Sequence, residues 1–216
     1  MKILLVDDHA VVRQGYASLL RAMLSAVQVS EACDGEQALQ MVQDDIPNLV
    51  IMDISLPGIS GLETTRRLRQ RLPQLRVLFF SMHDELPILR QALDAGAIGY
   101  LSKTSAPEVL LEAVNRTLAG HAYIEQRLAT HLACHPQADG HADPRLRGMT
   151  QREFEIFVML AKGTPNSQIA AKLCISSKTV SNYLTLLKSK LQVSSQAELV
   201  HLAIDTGVIR LGLESA

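Results

Sequence analysis

A doubly wound α/β sheet of five parallel strands, ordered 2-1-3-4-5, followed by a small all-α helix-turn-helix domain, is the architecture this sequence predicts. Three observations predict it. Short apolar runs without alternation, such as Ile3-Leu4-Leu5-Val6, Leu49-Val50-Ile51-Met52 and Val77-Leu78-Phe79-Phe80, read as strands buried on both faces. A helical pattern fills the stretch after each strand, which implies right-handed crossovers. Beyond residue 144 the strand runs stop and only helical periodicity remains.

In chain order, the first strand ends in Asp7-Asp8, and His9-Ala10 leads into a helix carrying Val12, Tyr16, Leu19, Leu20 and Met23. Val27-Gln28-Val29 is a short strand, and Gly35 opens a helix with Ala38, Leu39 and Val42. The third strand ends at Asp53 and passes into the turn-forming loop Ile54-Ser55-Leu56-Pro57-Gly58, with Gly61 beyond it. A helix over 62–72 follows, whose Arg66, Arg67, Arg69 and Arg71 form either a solvated face or an anion-binding one. The fourth strand finishes on Ser81, and a helix over 86–95 stops at Gly96. Gly99-Tyr100-Leu101-Ser102-Lys103 is the fifth strand, and a helix over 106–119 ends before Gly120. Residues 1–120 therefore form the first domain.

Residues 121–144 lose periodicity, and Pro136, Asp139, Gly140, Asp143 and Pro144 mark a flexible connector. It also holds His121, His131, Cys134, His135 and His141; a solvated tether and a metal shared by His131 and His135 are the alternatives there. Residues 145–216 form the second domain. Thr150 and Glu153 make a capping box, and Phe154, Phe157, Val158 and Ala161 form the buried face of a helix closed by Gly163. Asn166 or Ser167 caps a short helix with Ile169, Ala170 and Leu173. After the turn Cys174-Ile175-Ser176 comes a longer helix with Val180, Leu184, Leu187 and Leu191 inside. Ser195 and Glu198 form a second capping box before the last helix.

Composition narrows the classes. No apolar stretch approaches the roughly 20 residues that cross a bilayer, and the N-terminal apolar run is too short for a signal peptide. Cys33, Cys134 and Cys174 lie far apart, which suits a reducing cytoplasm. Residues 1–120 carry 11 Lys and Arg against 14 Asp and Glu, while residues 145–216 carry 9 against 5. An acidic first part and a basic last part fit a metal or phosphate device joined to a nucleic-acid binder.

The predicted topology gathers Asp7, Asp8, Asp53, Ser81 and Lys103 at the C-terminal edge of the sheet. Taken alone, Asp53 is equally a helix cap or a loop hydrogen-bonder. Three carboxylates together call for a hard divalent cation, and Mg²⁺ takes a few carboxylates plus water and substrate oxygens. With Lys103 to neutralise anionic oxygens and Asp53 to attack, this is a phosphoryl-transfer site. A small-molecule phosphatase of the haloacid-dehalogenase kind is disfavoured, because Ser55 stands where a general-acid Asp would be. In the second domain, a bundle that binds protein competes with a helix-turn-helix whose longer helix enters the major groove. The outer face of that helix is Ser177, Lys178, Ser181, Asn182, Thr185, Lys188 and Ser189.

With these residues in place, 1–120 resembles the receiver domain of two-component response regulators, a flavodoxin-like fold. The resemblance implies that Asp53 takes phosphate from a sensor histidine kinase. It implies Mg²⁺ held by Asp8, Asp53 and the backbone carbonyl of Ser55, with Asp7 acting through water. Ser81 and Tyr100 match the switch pair, in which the hydroxyl moves to the phosphoryl oxygen and the ring turns inward. Lys103 is followed by Thr104 where many receivers have proline, so a trans bond is expected.

Residues 150–203 resemble the LuxR-type helix-turn-helix of NarL/FixJ-type regulators. The matching stretches are Arg152-Glu153 with Glu155, Gly163 with Asn166, Ile169-Ala170 with Leu173 and Ile175-Ser176, Thr179-Val180, and Lys190-Leu191 with Val193. Ser181 and Tyr183 depart from that family's usual basic residue and His. The resemblance implies double-stranded DNA as partner and a homodimer on phosphorylation. Asn182 is placed to read adenine in the major groove, and Lys188 and Lys190 to contact phosphates. Lys178 suits either role, with Ser181 and Thr185 beside it.

Overall fold

A computed structural model describes residues 1–134, 146, 149–173, 175–206 and 208–209. The chain divides into two compact units, Met1–Cys134 and His135–Ala216. Among the described residues, no helix is long and apolar enough to cross a membrane.

The first unit alternates β1 (Lys2–Val6), α1 (Ala10–Met23), β2 (Gln28–Ala32), α2 (Gly35–Asp44), β3 (Leu49–Met52), α3 (Gly61–Arg71), β4 (Val77–Ser81), α4 (Leu86–Asp94), β5 (Gly99–Ser102) and α5 (Pro107–Leu118). It then adds β6 (Tyr123–Ile124) and α6 (Gln126–Cys134). All strand pairs are parallel, in the order β2-β1-β3-β4-β5-β6. Residues two apart point to one side of a strand. Ile3, Leu5, Leu49, Ile51, Leu78, Phe80 and Leu101 accordingly share a core with Ala17 and Leu20 of α1 and with Leu110, Ala113 and Val114 of α5. The alternate residues Leu4, Val6, Val50, Met52, Phe79 and Tyr100 are buried too, so both faces are covered. Every strand-end polar group is thereby delivered to one rim.

Two expectations need correction. The sheet has six strands, because Tyr123 and Ile124 pair with Gly99 and Tyr100. Two residues are too few to show a period in sequence. The connector was expected to begin at residue 121, yet 121–134 belongs to the first unit, and α6 anchors itself through the buried Leu128. Residues 135–144, with the proline and glycine signals and with His135 and His141, lie outside the described residues, so the His131 and His135 reading does too. The arginines of α3 form the solvated face: Arg67 pairs with Glu63 at 2.8 Å, and Arg69 donates to the carbonyl oxygens of Pro73 and Leu75.

The second unit holds α7 (Gln151–Ala161), α8 (Asn166–Lys172), α9 (Ser177–Leu191) and α10 (Gln196–Asp205). Phe154, Phe157, Ile169, Val180, Leu187, Leu191 and Leu199 are buried in it. The Thr150–Glu153 capping box is complete. The next cap differs from expectation: Pro165 is the N-cap of α8 and Asn166 its first residue. Ser195 does accept the Glu198 N–H, but the Glu198 carboxylate turns to the N–H and hydroxyl of Ser194, so the second box is half formed. A left-handed Gln192, at φ 56°, ends α9.

Gly61 opens α3 directly beneath the acid-bearing loop. A Cβ there would lie 1.8 Å from the carbonyl oxygen of Asp53, so only glycine lets the two backbones meet. Gly61→Ala should lower stability by about 1–3 kcal/mol through forced backbone displacement. Chemical denaturation measures this, and a neutral result would mean that the loop yields freely.

Candidate functional site

The topology brings Asp7, Asp8, Asp53, Ser81 and Lys103 to the C-terminal rim, as expected from sequence. Lys103 sits between two carboxylates, its Nζ 2.5 Å from Asp53 Oδ2 and 2.6 Å from Asp7 Oδ2. Asp53 Oδ1 is pinned by the Ile54 N–H at 2.7 Å, and Asp7 Oδ1 by the His9 N–H at 2.8 Å. Both carboxylates are buried, with side-chain exposures of 3% for Asp7 and 5% for Asp53. Burial by itself would lower the Lys103 ammonium, but Asp53 and Asp7 outweigh it and hold the group above its ordinary value.

Asp8 is the more open acid. Burial raises its pKa above the usual carboxylate value; Asp53 and Asp7 add to that, while His9, whose Nδ1 is 2.8 Å from Asp8 Oδ1, opposes it. His9 is a participant that sequence reading passed over as a helix lead-in. Ligand atoms of Asp7, Asp8, His9 and Asp53 lie within 4.8 Å of one another. Crowded carboxylate oxygens at the mouth of a buried rim suit a hard divalent cation. These residues fit Mg²⁺.

Ser81 is fully buried at the end of β4, its Oγ accepting the His83 N–H at 3.3 Å. Tyr100 is fully buried as well, and its hydroxyl donates to the His83 carbonyl at 2.8 Å. Burial pushes the phenol far above its ordinary pKa, with Glu85 and Asp53 adding to it, so Tyr100 is a neutral donor. The ring is thus inside while Lys103 rests on Asp53. Ser55 Oγ meets His83 Nε2 at 3.1 Å, and His83 Nδ1 lies 3.4 Å from Glu85, a chain that sequence reading missed. Its only signal was the pair of offsets, two residues after Asp53 and two after Ser81. The Lys103–Thr104 bond is trans, as expected.

In the second unit, α8 and α9 form the helix-turn-helix. Lys178, Ser181, Asn182 and Thr185 are exposed on α9, and Lys188 is half-buried. The Ser181 hydroxyl donates to the Ser177 carbonyl, and that of Thr185 to the Ser181 carbonyl. Lys190 also ties α9 to α7: its Nζ lies 2.7 Å from Glu153 Oε2. Although burial raises Glu153, bonds from Lys190 and Thr150 outweigh it and hold the carboxyl below its usual range.

A receiver rim on one unit and a helix-turn-helix on the other define a two-component regulator. The family described as response regulator receiver domain matches residues 3–115, and that described as bacterial regulatory proteins, luxR family, matches residues 147–203. The chain belongs to the LuxR-type response regulators. It is 68% identical over 212 residues to the transcriptional activator protein ExaE of Pseudomonas putida, covering 98% of this chain and 99% of that one. It is 34% identical over 208 residues to the response regulator UvrY of Escherichia coli K12, covering 96% and 95%. Among solved structures, the response regulator ChrA of a heme-sensing two-component system is 31% identical, with a TM-score of 0.51, over 96% of this chain and 98% of that one. A LuxR-family response regulator from Aurantimonas sp. SI85-9A1 is 38% identical, with a TM-score of 0.58, over 61% and 94%.

Two outcomes are expected. Because Asp8 has a raised pKa, its charged form costs folding stability above the ordinary carboxylate range. Asp8→Asn should therefore be no less stable than the parent without metal, yet lose most of the roughly 2.7 kcal/mol that Mg²⁺ at about a hundred times its dissociation constant would confer. Thermal unfolding with and without MgCl₂ checks this. A lowered Glu153 contributes stability above its unfolded pKa and loses it as pH falls through the folded value. Lys190→Ala should cost about 1–3 kcal/mol at neutral pH, with the difference from the parent shrinking in acid. Urea unfolding at several pH values tests that.

Proposed function

We propose that the rim of the first unit takes a phosphoryl group on Asp53 from a sensor histidine kinase, and that this modification turns on dimerisation and DNA binding. The chain is a phosphorylation-controlled DNA-binding regulator of transcription. The observation that carries the chemistry is the shared ammonium of Lys103, held 2.5 Å from Asp53 and 2.6 Å from Asp7. Asp53 Oδ1 accepts a backbone N–H, while Oδ2 meets the Lys103 ammonium. Oδ2 is the nucleophile: it bonds to phosphorus as the phosphorus–nitrogen bond of the donor histidine breaks, and the leaving imidazole takes up a proton. Lys103 then neutralises a phosphoryl oxygen.

Asp8, Asp53 and the Ser55 carbonyl would hold Mg²⁺, with Asp7 reaching it through water; bound there, the cation supplies charge neutralisation for the transferring group. Ser81 supplies a hydroxyl for a phosphoryl oxygen, and Tyr100 reports the change from inside the core. Beyond self-phosphorylation and slow dephosphorylation, the chain performs no catalysis. Lys178 and Asn182 meet DNA, with Ser181, Thr185 and Lys188 along the same face. A relative bearing the name transcriptional activator favours activation over repression. The protein acts in the cytoplasm, where its DNA lies.

Incubation with an acyl phosphate and Mg²⁺ should add one phosphoryl group to the chain. That mass should be lost in Asp53→Asn and slowed by at least tenfold or so in Asp8→Ala, consistent with one lost electrostatic contact to the transition state. Intact-mass spectrometry reads it directly, and full labelling of Asp53→Asn would overturn the assignment.

A further inference from the structure

The residues that follow the fifth helix are tied to both loops that carry the switch side chains. Glu125, just past β6, donates its N–H to the Tyr100 carbonyl at 3.1 Å. Its Oε2 accepts the Ser102 N–H at 3.1 Å and the Ser105 hydroxyl at 2.8 Å. Those two donors bracket Lys103. Two residues further, Arg127 pairs with Asp84 at 2.8 Å, beside the His83 carbonyl that takes the Tyr100 hydroxyl. The Arg127 pair is open to solvent, which leaves it weak. The Glu125 carboxylate, part-buried and accepting twice, holds more firmly. Glu125 also begins α6, its carbonyl accepting the Ala129 N–H, and α6 packs on α4.

We propose that Glu125 is the coupling residue through which the state of Asp53 reaches α6 and the chain beyond it. The proposal rests on the reading that Asp53 is phosphorylated. A phosphoryl group on Asp53 Oδ2 puts oxygens where the Lys103 ammonium now sits. The ammonium must retreat, but the Lys103 N–H is fixed to the Ser81 carbonyl at 2.8 Å. The displacement therefore passes along 102–105 to the two donors that hold Glu125. Losing them frees the first turn of α6.

Hydrogen exchange on the full chain, with acetyl phosphate and Mg²⁺, tests this, while intact mass reports the label on Asp53. In the parent protein, exchange over 126–134 should speed up by roughly tenfold on labelling, as local opening becomes easier. In Glu125→Ala it should be fast beforehand and change no further. Glu125→Gln keeps the acceptor oxygen and should keep the response. Ser105→Ala removes one donor and should give an intermediate response, which serves if Glu125→Ala does not fold. Unchanged exchange in a labelled parent, or an equal change in labelled Glu125→Ala, overturns the proposal. A parent that takes no label overturns instead the phosphorylation reading beneath it.

Discussion

One ammonium shared between two buried carboxylates organises the first unit. Lys103 gives both buried carboxylates an ion-pair partner, where an unpaired buried charge is strongly disfavoured. The price of that arrangement is structural: three strands must end at one rim in register, and β1, β3 and β5 do so because each is short, apolar and covered on both faces. One ammonium does not balance three carboxylates, so negative charge remains at the rim with Asp8 as its most open member, and His9 offsets part of the charge on Asp8. A site built this way is ready for a cation and for a transferring anion.

The same ammonium links chemistry to the rest of the unit. The Lys103 backbone joins β5 to the end of β4 at Ser81, and the residues on either side of it reach the segment after β6. Tyr100 sits between these two loops, its hydroxyl on the His83 carbonyl and its own carbonyl on Glu125. Short hydrogen-bonded routes run from Asp53 in both directions.

Much of this was legible in the chain. The apolar runs at 3–6, 49–52 and 77–80 are long enough to mark strands, and the polar residue closing each one marks the rim. What escaped was of two kinds. Tyr123–Ile124 is too short for periodicity, and α6 buries only Leu128, so nothing in the local pattern separates 121–134 from a tether. The other misses are long-range pairings of polar residues. Lys190 stands among basic residues on α9, and nothing local says that it turns to Glu153, 37 positions away. His83 and Ser55, 28 positions apart, are likewise joined only by the fold.

The central claim is that the Lys103 ammonium converts phosphorylation of Asp53 into a change in the whole protein. Light scattering on Lys103→Met, with the label quantified on the same sample, tests it most directly. The account predicts that Asp53 still takes phosphate, more slowly, while the mass stays that of the unlabelled protein as the parent shifts to a dimer. A labelled Lys103→Met that dimerises as the parent does would contradict it.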